Sequence, residues 1–308
     1  MEIYVAENAG FCFGVKRAVK MAFDAAESYQ GEVHSLGPLI HNPQVVERLA
    51  QKGVQKVERL DQIENGVVIL RSHGVSSPQV VQDAEAQGLH IIDATCPFVT
   101  NAQRYAKQLV DEGYQVVMVG DRNHPESQSV LGHAGGEILV TEDFDEIKQM
   151  LNRFTRKRLG IISQTTQTYG KFSEIVVKCL QICEEVKIFN TICYATEDRQ
   201  TEAQSLSETV EVMVVVGGKN SANTTHLADI CREKGVRVYH VETAQEIDRH
   251  WFEGVQKTGV TAGASTPDWI IQEVMQLFKN DLKESEAASG RRFRCLRSDQ
   301  YRGRHRRA

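Results

Sequence analysis

The chain has 308 residues and a formal net charge of −5, with 41% hydrophobic and 25% charged residues. These values are typical of a soluble globular protein with two or three domains, and the negative charge argues against a nucleic-acid-binding protein. No apolar run approaches the roughly 18 residues that a membrane-spanning helix needs. The amino terminus lacks the charged and apolar regions of a signal peptide, so a cytoplasmic protein with no membrane partner is predicted.

In chain order, short apolar runs typical of β-strands alternate with amphipathic stretches typical of helices. A first strand is predicted at residues 3–7. Further strands are predicted at 66–70, 114–120, 159–163, 210–218 and 259–265, and helices at 43–52, 78–87, 171–185, 225–234 and 267–279. Such alternation predicts an α/β fold with mostly parallel sheets. Residues 281–308 are basic at their end and lack apolar periodicity, so a disordered tail or an expression remnant is predicted there, with an RNA- or membrane-binding arm as the alternative.

A larger pattern occurs three times along the chain. Similar segments end at Cys12, Cys96 and Cys193, and each is followed by a helix, a strand and a polar loop. A second polar loop follows a later strand in each repeat. The paired loops contain His41 and His73, then His124 and Thr165, then Ser221 and Ser265.

The repeats predict three similar α/β domains with small, mostly parallel sheets. The predicted bounds are 14–96, 97–193, and 194–280 together with 1–13, so that the first strand completes the third domain. Ligands of open parallel sheets bind beyond the carboxyl ends of the strands. A pseudo-threefold trefoil of these domains would direct the polar loops and the cysteines toward one central cavity.

The chain has seven cysteines, and none belongs to a CxxC pair. An odd number without local pairs argues against a disulfide framework and favours metal or redox chemistry. Three thiolates that meet on one axis would suit an iron–sulfur cluster in which one iron has no protein ligand. A zinc ion with three cysteines and a water is the alternative, although zinc ligands are usually closely spaced. Cys179, Cys183 and Cys231 are predicted to be structural, the first two on one helix face.

The polar loops are rich in hydrogen-bond donors. They contain His41, His73, His124, Ser221, Asn223 and Ser265, and several of these residues precede predicted helices. Hydroxyl groups and helix N-termini bind phosphate, and histidines charged near neutral pH would strengthen the binding of a diphosphate. No Walker or GxGxxG motif is present for a nucleotide. Glu126 is predicted to donate a proton, and Thr165 to relay it or to hold a substrate hydroxyl.

Nine motifs resemble, in this order, those of the IspH (LytB) family of 4-hydroxy-3-methylbut-2-enyl diphosphate reductases. They read GFCFGVKRA, HNPQVV, SHGV, DATCPFV, GDRNHPES, SQTT, ICYAT, GGKNSANT and GVTAGASTP. The resemblance implies a [4Fe–4S] cluster with three protein ligands, Cys12, Cys96 and Cys193. It implies a diphosphate site made of His41, His73, His124, Ser221, Asn223 and Ser265. Ala222 stands where family members often have serine, so a hydroxyl contact is lost there and the backbone amide remains.

The reaction implied by the resemblance is the last step of the non-mevalonate isoprenoid pathway. The substrate's allylic hydroxyl would bind the open iron, and two electrons would come from an external ferredoxin or flavodoxin. Glu126 would protonate the leaving oxygen, with Thr165 close to it, to give isopentenyl or dimethylallyl diphosphate. One alternative is a non-catalytic iron–sulfur electron carrier or sensor, which would need a fourth cysteine ligand. Another is a zinc hydrolase of phosphate esters, which would need no reductant.

Overall fold

The computed structural model describes residues 1–289 and 294–297 of the chain. Its strands are β1 (Glu2–Val5), β2 (Val33–Leu36), β3 (Val54–Val57), β4 (Val67–Leu70), β5 (His90–Asp93), β6 (Gln115–Val119), β7 (Ile138–Thr141), β8 (Arg158–Ser163), β9 (Glu185–Ile188), β10 (Val212–Val216), β11 (Arg237–Val241), β12 (Lys257–Ala262) and β13 (Arg294–Arg297). Its helices are α1 (Phe13–Ser28), α2 (Pro43–Ala50), α3 (Gln79–Ala86), α4 (Pro97–Asp111), α5 (Pro125–His133), α6 (Phe144–Leu151), α7 (Tyr169–Leu180), α8 (Tyr194–Ser207), α9 (Ala222–Glu233) and α10 (Asp268–Ser289). Strands and helices alternate, except that short 3₁₀ turns connect β3 to β4 and β11 to β12.

The described strands form three small sheets, and neighbouring strands in them are parallel. Their orders are β3-β2-β4-β5, β7-β6-β8-β9 and β11-β10-β12-β1-β13. In these sheets β2, β6 and β10 are inner strands. The next strand of the chain forms the edge beside each of them, and the strand after that pairs with the other side. In the third sheet β1 takes the place that β5 and β9 have in the others. The predicted α/β class with small parallel sheets is confirmed.

The inner strands are buried on both faces, which explains their nearly continuous apolar composition. All five residues of β10 are fully buried. In β6, Met118 packs into one core cluster and Val117 into another, because successive side chains of a strand point to opposite faces. Helices cover both faces of each sheet in this arrangement, so the loops at the carboxyl ends of the strands rest on rigid supports.

The chain divides into two compact units. One contains residues 1–12 and the chain from residue 194 onward, and it holds the third sheet. The other contains residues 13–193 and holds the first two sheets. The unit boundaries follow Cys12 and Cys193, near two of the predicted domain boundaries. The division into three domains stays a prediction.

One sequence-based expectation needs correction. The helix predicted at 171–185 ends at Leu180, so Cys183 lies in the following turn and does not share a helix face with Cys179. The reason is that β9 begins at Glu185 and pairs with β8, which requires extended backbone.

The disordered tail or expression remnant predicted at 281–308 stays a prediction. Helix α10 continues past residue 280 to Ser289, and the strand Arg294–Arg297 pairs with β1. Residues 290–293 and 298–308 lie outside the described residues. Among the helices of the described chain, none combines the length and the apolar character needed to cross a membrane.

Candidate active site

The predicted polar loops lie at the strand ends where the strand order of each sheet reverses. After β2, β6 and β10 the chain forms an edge strand on one side of each. It then returns, so that β4, β8 and β12 pair with the other side of those three strands. Ligands of open parallel sheets bind at the carboxyl ends of strands at such switch points. Loops after the first set of strands hold His41, His124 and Ser221, and loops after the second set hold His73, Thr165 and Ser265.

Glycines fix the start of the first loop in each repeat. The N–H groups of these glycines donate to the last residue of the neighbouring edge strand, namely Gly37 to Val57, Gly120 to Thr141 and Gly217 to Val241. Gly217 has a φ of 145°, which residues with a side chain rarely adopt. A Cβ at Gly217 would also lie 2.4 Å from Thr266 Oγ1. The first residue of the loop is therefore held by the same backbone contact in all three repeats.

The backbone of each candidate ligand cysteine is bonded to the second loop of its own repeat. The N–H of Cys96 donates to Ser72 O at 2.9 Å, that of Cys193 to Thr165 O at 3.0 Å, and that of Cys12 to Ala264 O at 3.1 Å. Each cysteine also stands at the start of a helix, since α1, α4 and α8 begin at the next residue. The positive end of a helix dipole stabilises a thiolate. The meeting of the three thiols at one point stays a prediction.

His41, His73 and His124 lie together in the unit of residues 13–193. Their ring centroids are 4.2 Å apart for His41 and His73, 5.2 Å for His41 and His124, and 5.5 Å for His73 and His124. One nitrogen of each ring lies within 4.8 Å of the other two. The structure thus brings three predicted substrate-binding residues close enough to contact one small ligand.

The charge state of this cluster differs from the expectation. Burial lowers the pKa of His41, and the Arg71 guanidinium lowers it further. Burial also lowers the pKa of His73 to well below its ordinary value of 6.5, and His41, His124 and Arg71 add to this effect. The sequence analysis expected histidines charged near neutral pH. In the structure the lowered pKa values of His41 and His73 favour neutral imidazoles, because burial disfavours the charged form.

The orientation of His124 favours an anion over a metal ion. His124 is the N-cap of α5, and its Nδ1 accepts a hydrogen bond from Glu126 N–H at 3.1 Å. A neutral imidazole that accepts at Nδ1 carries its proton on Nε2, so Nε2 is a donor and not a metal ligand. Asn42 caps α2 in the same way by accepting from Val45 N–H at 3.0 Å. Donors at helix N-termini suit phosphate oxygens.

Glu126 and Thr165 form a closed, buried pair. The Thr165 N–H donates to Glu126 Oε1 and the Thr165 hydroxyl donates to Oε2, both at 2.6 Å. Glu126 is only 1% exposed. The two residues come from the loops after β6 and β8, on either side of one switch point. Because the Thr165 carbonyl also accepts from Cys193, the carboxyl is connected to a candidate ligand cysteine through a single residue.

The environment of Glu126 gives it an unusual acidity. Burial raises the pKa of this carboxyl from its ordinary value of 4.5 to about 7, although both bonds from Thr165 act in the opposite direction. The neutral and ionised forms therefore coexist near neutral pH. A pKa close to the working pH is the property that an efficient general acid needs.

The other unit holds a second polar cluster, at the carboxyl ends of β10 and β12. Ser221 is the N-cap residue of α9, and Ser265 Oγ donates to Ser221 Oγ at 3.5 Å. Both amide atoms of Asn223 are buried, and neither has a hydrogen-bond partner among the described residues. An unsatisfied buried amide costs about 1–3 kcal/mol, which points to a ligand at this position. Ala222 begins α9 and has a backbone N–H but no hydroxyl to offer.

Three arginines near the predicted site residues were missed by the sequence analysis. Arg71 Nε donates to Gly74 O at 3.1 Å, so Arg71 encloses His73 in a short turn. Arg17 and Arg199 donate to backbone carbonyls in front of two of the cysteines. For Arg199 a signal was available, because it shares the buried face of α8 with Glu202, where apolar residues would be expected.

Fold and site together define an α/β protein with a cluster of three histidines at parallel strand ends and a buried carboxyl next to it. A model of the LytB protein family matches residues 3–279 of the chain. The chain belongs to the LytB family, as its motifs predicted.

Relatives and solved structures agree with this membership. The 4-hydroxy-3-methylbut-2-enyl diphosphate reductase of Geobacter sulfurreducens is 50% identical over 276 residues, which cover 90% of this chain and 96% of the relative. The protein of that name from Syntrophotalea carbinolica is 50% identical over 279 residues, covering 90% and 98%. A solved (E)-4-hydroxy-3-methyl-but-2-enyl diphosphate reductase, described as the terminal enzyme of the non-mevalonate pathway, is similar with 44% identity, a TM-score of 0.68, and coverage of 91% and 99%. The E-1-hydroxy-2-methyl-but-2-enyl-4-diphosphate reductase of Plasmodium falciparum is similar with 28% identity, a TM-score of 0.84, and coverage of 91% and 87%.

Proposed function

We propose that this chain catalyses the reductive dehydroxylation of (E)-4-hydroxy-3-methylbut-2-enyl diphosphate to isopentenyl diphosphate and dimethylallyl diphosphate. The observation that carries the proposal is the buried Glu126–Thr165 pair on loops that adjoin a cluster of three histidines. A substrate with a diphosphate at one end and an alcohol at the other needs donors for the charge and a proton for the leaving oxygen. The names of the relatives support the same reaction.

We propose a [4Fe–4S] cluster held by Cys12, Cys96 and Cys193 as the cofactor. The residues fit this group, because thiolates are its usual ligands and each of these cysteines stands at a helix start with its N–H fixed. When bound, a cluster with three protein ligands supplies an iron that can accept an alcohol oxygen, and it passes on electrons singly. Cys179 is a poor alternative ligand, since burial raises the pKa of its thiol to about 12.

The diphosphate would be held by the side chains of His41, His73, His124, Ser221, Asn223 and Ser265 and by the amide of Ala222. An anion close to neutral imidazoles raises their pKa, so a proton taken up on binding would convert neutral hydrogen bonds into charge-assisted ones. The Asn223 amide would gain the partner that it lacks among the described residues. Fixing the charged end in this way also orients the distant alcohol.

Glu126 would donate the proton that the leaving oxygen needs. Thr165 holds both carboxyl oxygens, so it sets the direction in which the proton is presented. In the net reaction the C–O bond breaks, two electrons and two protons are consumed, and water leaves. One proton goes to the oxygen and the other to the allylic carbon skeleton.

The electrons would come from an external carrier of the ferredoxin or flavodoxin type, because the reaction consumes two of them per turnover. Location in the cytoplasm stays a prediction. A non-catalytic electron carrier would have no use for a buried acid beside an anion site. A zinc hydrolase of phosphate esters would differ in needing no reductant.

Anaerobic purification, iron and sulfide analysis, and an assay with reduced viologen test this function. Wild-type protein should be brown and should convert the diphosphate only with a reductant present. Cys96→Ser should lose most of its iron, whereas Cys183→Ser, a matched change outside the proposed ligands, should keep it. A colourless wild-type protein, or turnover without reductant, would refute the proposal.

A further inference from the structure

Arg17 connects the helix after one cysteine to the backbone in front of another. It lies on α1, and its Nη1 donates to Thr95 O at 3.0 Å while its Nη2 donates to Asp93 O at 3.2 Å. The same turn is closed by a bond from Thr95 N–H to Asp93 Oδ1 at 2.8 Å. The next residue in the chain is Cys96. A planar guanidinium can serve two carbonyls at once, which a lysine ammonium does poorly.

Arg199 makes an equivalent connection in the other compact unit. It is buried on α8, and its Nη2 donates to Gly10 O at 2.6 Å while its Nη1 donates to a carbonyl of its own helix. Glu202, on the same helix face, accepts the backbone N–H groups of residues 7–8 at 2.5 and 2.9 Å. Two charged side chains thus fix the path of the chain that leads to Cys12.

In the remaining repeat, a threonine side chain holds the backbone before the cysteine. Thr191 precedes Cys193 by two residues, and its hydroxyl donates to Ser163 O at 2.5 Å and accepts from Ser163 N–H at 2.8 Å. Each described repeat therefore has a side chain that ties the approach to its cysteine to a neighbouring element. In two of these three repeats that side chain is an arginine.

We propose that Arg17 and Arg199 are positioning residues for the cluster, with Arg17 setting Cys96 and Arg199 setting Cys12. The inference rests on the proposed function, because it takes both cysteines as ligands. Without the guanidinium the preceding turn loses donors for its carbonyls and gains conformational freedom. The sulfur must then be ordered at the moment the cluster binds, and the cluster is released more easily.

Amide hydrogen exchange on the apo-protein tests the positioning directly. The Cys96 and Cys12 amides are suitable reporters because both are bonded to backbone carbonyls. Arg17→Gln should raise exchange in the peptide containing Cys96 about tenfold and leave the Cys12 peptide unchanged, and Arg199→Gln should do the reverse. The corresponding lysine variants should lie between wild type and glutamine. Arg104→Gln, an exposed change on α4, is the matched control and should alter neither peptide.

Cluster retention after reconstitution gives the second measurement. Iron should be lost to a chelator about tenfold faster from each glutamine variant than from wild type or the Arg104 control. Equal exchange and equal retention in all variants would overturn the inference. Faster exchange at both cysteines in both variants would also overturn it, since it would indicate general destabilisation. A wild-type protein that binds no iron would refute the proposed function, and with it the link to a cluster, even if the crossed exchange pattern were seen.

Discussion

The acidity of Glu126 predicts how the free energy of unfolding of the apo-protein depends on pH. The pKa of this carboxyl is raised from 4.5 to about 7 by burial. One pKa unit corresponds to about 1.4 kcal/mol, so keeping the group ionised in the folded protein costs about 3 kcal/mol. Between these two pH values the folded protein binds a proton that the unfolded chain has released. The contribution to stability is therefore complete below pH 4.5 and is lost as pH rises through about 7.

Glu126→Gln removes this titration and keeps the contacts. The glutamine carbonyl can accept the Thr165 N–H, and its amide can donate to the Thr165 hydroxyl oxygen. Relative to wild type, the variant should therefore gain about 3 kcal/mol between pH 4.5 and pH 8. Other groups, such as His73, titrate in both proteins and cancel in the difference.

Urea unfolding of both apo-proteins, followed by circular dichroism over this pH range, measures the effect. Glu27→Gln, the same change at an exposed position on α1, is the matched control. A pH-independent difference between wild type and Glu126→Gln would refute the reasoning, because it would mean that the Glu126 carboxyl has the same pKa in the folded and unfolded states.

The other predictions concern ligand binding and turnover. Glu126→Gln should bind substrate normally while kcat in the viologen assay falls by about 10²–10⁴, and an unchanged kcat would reject its role as the acid. The pKa shift of His73 is opposite in direction to that of Glu126. Because the pKa of His73 is lowered, the free energy of unfolding should fall as pH drops below 6.5. His73→Asn should reduce that loss in the same urea series. Asn223→Ala should raise KM by roughly tenfold or more without lowering Tm, because the amide gains its partner only from the ligand; a lower Tm with unchanged KM would contradict this. Ala222→Ser should lower KM about threefold with kcat unchanged, and a higher KM would contradict the expected hydroxyl contact.

The fold class could be predicted because strands and helices leave local patterns in the sequence. Strands buried on both faces are apolar runs, and the three repeats place similar loops after similar strands. The end of α7 could not be predicted, since apolar residues continue through Cys183 into β9 and only the pairing with β8 decides where the helix stops. The strand Arg294–Arg297 has a basic sequence, and only its pairing with β1 makes it a strand.

The closeness of the three histidines was predictable, but their acidities were not. His41 and His73 follow neighbouring strands of one sheet, and His124 follows the equivalent strand of the second repeat. Their charge could not be read from the sequence, because burial and the guanidinium of Arg71 determine it. The role of Arg17 could not be predicted for a related reason. It donates to backbone carbonyls, which every residue type has, so the sequence does not indicate the contact.

The histidine cluster and the Glu126 carboxyl have a common consequence for substrate binding. Burying a charge costs several kcal/mol, and neutral imidazoles with a partly protonated carboxyl reduce that cost in the ligand-free protein. A diphosphate would change both in the same direction, because a nearby anion raises the pKa of imidazole and carboxyl groups alike. Binding should therefore be accompanied by net proton uptake and should leave Glu126 protonated. The substrate would in this way prepare the acid that its own alcohol needs.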